Sequence, residues 1–181
     1  MNIFEHLDEL QVDLIERNLE ELEEKYFNRC NQLAGTERAN KIKQIDLKGY
    51  IKELKMGLEQ SIKIANEIDS KAIYFEYDLD HNWESAFYIC EEYNPLEECD
   101  EEWACNWTDD FGGPSLKQFG EIYKENGFEP SNLATGTTIY LVARTVISYI
   151  RALNELPNQI SIPICIAFHD QDQILRINEE H

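Results

Sequence analysis

Residues 72–93 read AIYFEYDLDHNWESAFYICEEY, and this stretch decides the fold. Before it, apolar residues recur every three to four positions, as on one face of a helix. From Ala72 they alternate, and the composition turns aromatic and β-branched, which suits a pleated strand with one face buried. The segment AIYFEYD (72–78) reads as that strand, DLDHN (78–82) carries turn residues, and WESAFYICEEY (83–93) reads as the returning strand. A helical chain therefore becomes a β-hairpin at Ala72.

Upstream, residues 4–33 predict a long amphipathic helix. Its stripe starts with Ile3, Leu7, Leu10 and Leu14, drifts into Ile15, Leu19, Leu22, Tyr26 and Leu33, and stops at Gly35. A second helix is expected from Asp46, a good N-cap, to Ile68, with Leu47, Ile51, Leu54, Leu58, Ile62, Ala65 and Ile68 inward. Two such helices suit an antiparallel hairpin. Downstream, Asn94-Pro95 opens a loop, EEWACNW (101–107) predicts a third short strand, and Gly112-Gly113-Pro114 breaks the chain. Ser115 and Gln118 have capping-box spacing for a helix running to Asn126-Gly127, with Leu116, Phe119, Ile122 and Tyr123 inside.

The segment TTIYLVARTVISYIRALNEL (137–156) is apolar nearly all round, which places it as a core helix against a sheet, stopped by Pro157. ISIPICIAF (160–168) reads as a strand buried on both faces. His169-Asp170-Gln171-Asp172 is a turn into a last strand, Gln173–Ile177. At 181 residues a single domain over 1–181 is expected, helical over 1–70 and α+β over 71–181. The expected class is α+β: a helical N-terminal hairpin, a mostly antiparallel sheet of four to five strands, and two further helices packed on it.

The charge is the outlier. Thirty-six acids face sixteen bases, a formal charge of −20. Between Ala72 and Leu116 there are thirteen acids and no Lys or Arg. Such a field repels nucleic acid and anionic membranes and speeds encounter with basic partners. The densest part, EEYNPLEECDEEWACNWTDDF (91–111), interleaves Tyr93, Trp103, Trp107 and Phe111 with its acids. A solvated tail has no reason to carry those aromatics. They suit a surface where carboxylates and rings meet Arg and Lys.

The catalytic and metal patterns are weak. Cys90, Cys99 and Cys105 lack the short spacing of zinc thiolates. Asp78, Asp80 and Asn82 alternate as in a calcium loop, but Trp83 and Ile89 occupy the positions that need Gly and Glu. No nucleophile elbow, P-loop or dinucleotide fingerprint is present, and no cofactor or metal is expected. Arg144 and Arg151, on one face of the apolar helix, read as ion-paired with carboxylates at its rim, with a substrate-anion site as the alternative. The best enzymatic alternative is a small hydrolase or metal-dependent enzyme that gathers Asp80, His81, His169 and Asp170 from two strand ends.

The five cysteines (Cys30, Cys90, Cys99, Cys105, Cys165) are odd in number and irregular, as expected of reduced thiols. MNIFEHLDEL lacks the basic and apolar regions of a secretory signal, and no uninterrupted apolar run reaches the roughly 18–20 residues of a membrane span. A cytoplasmic location is expected.

An acidic α+β chain of this kind resembles the immunity proteins of bacterial toxin systems, contact-dependent inhibition among them. It is similar in outline to small proteins of such loci in three features: a strand like AIYFEYD after a helical segment, a Glu-Trp pair like Glu102-Trp103, and a late turn like HDQD (169–172). The resemblance implies a non-enzymatic inhibitor that covers a basic nuclease toxin with carboxylates. On that reading Glu97, Glu98, Asp100, Glu101, Glu102, Asp109 and Asp110 supply the charge, and Trp103 and Trp107 are the anchors.

Overall fold

The computed structural model describes residues 3–16, 18–156, 160–170 and 174–178. Four helices come first: α1 (Ile3–Glu16), α2 (Leu19–Ala34), α3 (Thr36–Lys43) and α4 (Lys48–Ile68). Strands β1 (Ala72–Asp78), β2 (Glu84–Cys90) and β3 (Trp107–Gly112) follow, then α5 (Lys117–Tyr123), α6 (Asn132–Asn154), β4 (Ile164–Phe168) and β5 (Leu175–Asn178). The strands form one sheet in the order β3-β2-β1-β4-β5. Only β1 and β4 run parallel, because the α5–α6 crossover lies between them. The class is α+β with a mostly antiparallel sheet.

The hairpin forms where the alternation places it, with Ala72 opposite Cys90 and Asp78 opposite Glu84. Its odd positions Ile73, Phe75 and Tyr77 face the helices with Phe87, Ile89, Ile164 and Ile166. Helix α6 is buried along most of its length. Tyr149 stacks on Phe75 at 4.9 Å, and Thr145 Oγ1 accepts the Trp83 indole N–H at 2.9 Å. Helices α2 and α4 both pack on α6, so the expected two-helix hairpin is bridged by a third helix. Arg144 and Arg151 reach out of α6 to one carboxylate, Glu23 of α2, at 3.3 and 3.0 Å, the pairing that the burial of Arg144 demands and that half-buried Arg151 shares.

Several boundaries differ from the sequence reading. The helix expected over 4–33 is two helices. Asn18, in extended conformation, caps α2 by accepting the Glu21 N–H at 2.9 Å, so the drift in the apolar stripe marks a break. In α4 the inward face is Tyr50, Leu54, Leu58, Ser61 and Ala65, while Ile51 and Ile62 are half-buried and Ile68 is exposed. Asp46 does accept the Lys48 N–H, at 3.0 Å. Helix α5 starts at Lys117, and Leu116 at its N-cap position gives no side-chain cap, so the Ser115–Gln118 box does not form; α6 starts earlier than expected, capped by Ser131. The helix stop at Pro157, residues 171–172 of the late turn and the strand start at Gln173 lie outside the described residues.

The turn after β1 takes an uncommon path. Asn82 and Trp83 both have φ near +60°, at 59° and 57°, a region that side chains other than glycine's rarely adopt. This conformation drops the Trp83 ring into the core against Tyr77, Phe119 and Tyr123. Helix α5 lies directly on the turn, and a Cβ at Gly120 would come within 2.6 Å of the Asn82 Cα. Backbone cannot yield as a side-chain tip does. Gly120→Ala is expected to destabilise the chain by about 1–3 kcal/mol, read as a lower urea midpoint at unchanged m-value.

Candidate functional site

The even positions of the hairpin build a second sheet face. Ala72, Tyr74, Cys90, Cys165, Ala167 and Ile174 lie on it, and the 91–106 excursion folds back over one half. Two short 3-10 turns, Leu96–Glu98 and Glu102–Cys105, shape the excursion. The second occupies part of EEWACNW where a strand was expected. The strand begins only at Trp107, after the chain has crossed the sheet.

Trp103 is therefore no surface anchor. It is 1% exposed and seals the face, edge-on to Tyr74 at 6.3 Å and Tyr93 at 5.0 Å. Glu101 is not free to meet a partner either. Its two carboxylate oxygens each take a guanidinium N–H of the buried Arg176 of β5 at 3.1 Å, while Arg176 also donates to the Ile174 and Asn94 carbonyls. Asp100 stiffens the excursion, accepting from the Asn94 side chain and the Glu102 N–H. Of the expected partner-binding residues, Glu97, Glu98, Glu102, Trp107, Asp109 and Asp110 are exposed and available.

The other half of the face is open. Tyr88 lies at its centre, stacked on Tyr74 at 5.8 Å and against Trp107 at 4.8 Å. Trp107 is 44% exposed. The register sets Asp110 directly across from Tyr88 and Glu76 on the diagonal, and burial first, then these two carboxylates, raise the Tyr88 phenol above its ordinary range. Tyr88, Glu76 and Glu84 were absent from the sequence-derived site. The alternation of β2 pointed to one face for Tyr88 and Glu84, but not to which half of that face the excursion would cover.

At the end of β1 this face runs into a shallow cleft of about 240 Å³ that brings together Asp78, Asp80, His81, His169 and Asp170. The two turns are thus neighbours, and the four residues of the enzymatic alternative share one depression. Each histidine has its own carboxylate: His81 Nδ1 lies 2.7 Å from Asp78 Oδ2, and His169 Nδ1 lies 3.0 Å from Glu76 Oε1. Burial works against it, but hydrogen bonds from the His81 ring and from the Asp80 and His81 N–H groups hold the Asp78 carboxyl below its usual range. The hydrogen bond to Glu76 raises His169 above the ordinary histidine value.

Among the described residues no group of three or more His, Cys, Asp or Glu side chains is placed to hold a metal ion. Cys99 and Cys105 are exposed, whereas Cys90 is buried under Trp103, and burial pushes its thiol up to about 12. Helix α6 has the length and apolarity of a membrane span, but it is buried inside the protein. No family model, no curated protein and no solved structure matches this chain.

Two outcomes follow from this geometry. Glu101→Gln removes the carboxylate that pairs with the buried Arg176 guanidinium and is expected to cost on the order of 2–4 kcal/mol, with a red-shifted Trp103 emission as the cover loosens. Glu76→Gln should return His169 toward the ordinary histidine value in an NMR titration. A raised folded-state value stabilises at low pH and is lost as pH rises through it, so the wild-type contribution of His169 is full below the ordinary histidine value and fades as pH rises through the raised one, and that of the variant is small throughout.

Proposed function

We propose that this chain is an immunity or antitoxin protein that binds and neutralises a basic partner, a nuclease toxin domain, through an acidic and aromatic face. The observation that carries this reading is the open half-face. Exposed Trp107 leans on Tyr88, with Asp110 across from that ring and Glu76 on its diagonal. It lies in a 45-residue stretch that contains no Lys or Arg of its own. Rings next to carboxylates suit arginine, which stacks and forms charged hydrogen bonds at once. Glu97, Glu98 and Glu102 on the cover and Asp109 on β3 extend the field. Charge of this kind mainly accelerates association and selects the partner, while the aromatic pair sets dissociation.

The test is co-purification with the product of the adjacent gene, followed by kinetics. A basic protein is expected to bind the wild type. Combining Trp107→Ala, Asp109→Asn and Asp110→Asn should slow association about tenfold or more and flatten its salt dependence. Unchanged kinetics, or a partner without basic character, would sink the reading.

The shared cleft supports a second reading, an acid–base site at His81 and His169. Turnover of any substrate by that site must disappear in His81→Gln and His169→Gln alike.

A further inference from the structure

Strand β3 is an outermost strand of the sheet, and the register shows which of its backbone groups face away from β2. Gly113 donates to the Ser85 carbonyl at 2.7 Å. In an antiparallel ladder whose pairs include 86 with 112 and 88 with 110, the hydrogen-bonded pairs are then 85 with 113, 87 with 111 and 89 with 109. Asp110 and Gly112 therefore turn their N–H and C=O groups outward. The Asp110 N–H confirms this: it donates to its neighbour's carboxylate, Asp109 Oδ1, at 2.9 Å. Such an edge is a template for another strand.

Beside it, on the helical side of the sheet, is a groove of about 300 Å³ between α4 and β3. Met56, 59% exposed, lines one wall together with Glu53 and Gln60, and Phe111, stacked on Phe87 at 5.2 Å, lies on the other with Pro114, so that Met56, Phe111 and Pro114 are its apolar contacts. The core runs out to this edge without a strand to cover it.

We propose that β3 is where the partner docks, as an added strand whose side chains alternate between apolar and basic. This deepens the docking reading above and rests on it. An added strand sends alternate side chains to opposite faces. On one face they enter the Met56–Phe111 groove, which takes apolar groups. On the other they meet Asp110 and Trp107, which take Lys or Arg. A second copy of this chain is a poor occupant, because pairing β3 with itself sets Asp109 and Asp110 against like charges. The Asp109 carboxylate acts as a latch: a cation that draws it away frees the Asp110 N–H for the incoming carbonyl.

The experiment uses the full ¹⁵N-labelled chain with three probes: a short peptide alternating Lys and Val, its twin methylated on the backbone nitrogens that face β3, and a peptide alternating Glu and Val. The Lys-Val peptide is expected to slow amide exchange at Asp110 and Gly112 about tenfold or more, and the methylated twin to bind at least tenfold more weakly. Gly112→Pro removes an outward donor without touching the β2 ladder and should weaken the Lys-Val peptide in the same way. If the twin binds as well as its parent, edge pairing is overturned while the acidic docking reading stands. If the Lys-Val peptide binds no better than the Glu-Val peptide, both fall.

Discussion

Strand β4 is apolar on both faces, and so is β1 over its first four residues, Ala72 to Phe75; strands of that kind require two covers. The first is helical: α6, pinned to the sheet through Tyr149 and Trp83, with α2 and α4 laid on it. The second has to come from the chain between β2 and β3, because that is where Trp103 lies, and one ring covers only part of a face. Trp103 closes the half over Tyr74, Cys90 and Cys165. Tyr88 and Trp107 are left in the open on the other half. The candidate site is thus the remainder of a packing problem that the excursion solves on one side.

The same division organises the charge. In the helical part, acids and bases answer one another. Glu9 meets Lys25 and Arg29, Glu23 meets Arg144 and Arg151, and Glu125 meets Arg38 and Lys41. Across the β1–β3 region, Arg176 reaches in to hold Glu101 and fix the cover. A buried guanidinium with a two-oxygen partner and two carbonyls is a positioning device more than a source of net stability. The exposed acids around it are consequently left to the solvent and to whatever binds.

Much of this was legible in residue order. The β1–β2 hairpin followed from strict alternation, the buried helix α6 from its lack of a polar face, and the need of Arg144 and Arg151 for carboxylates from their place on that helix. The misreadings have physical causes. Strand β3 was placed too early because an edge strand with a solvated side shows little alternation, and TDDFG has none. The split of α1 from α2 was encoded in the phase shift after Leu14 and in Asn18 three residues before Glu21, but local helix propensity masked it. Trp103 was misassigned because a tryptophan among acids looks the same whether it points in or out. Only the small Ala72, Cys90 and Ala167 of the opposing face, far apart in sequence, make room for it.

An acidic edge has two consequences that pull in one direction. Open edges invite pairing with any extended chain, and charged side chains there are the usual defence. Asp109 and Asp110 supply it, one of them by occupying the other's N–H. That defence is not symmetric: it repels a copy of itself, leaves a neutral strand to compete with a carboxylate for the donor, and yields to a strand that brings a cation. Discrimination built from repulsion of wrong partners needs no optimised contact with the right one. The residues that set β3 against a copy of itself are therefore the residues that would select a basic partner, and one constraint on the sheet edge accounts for both.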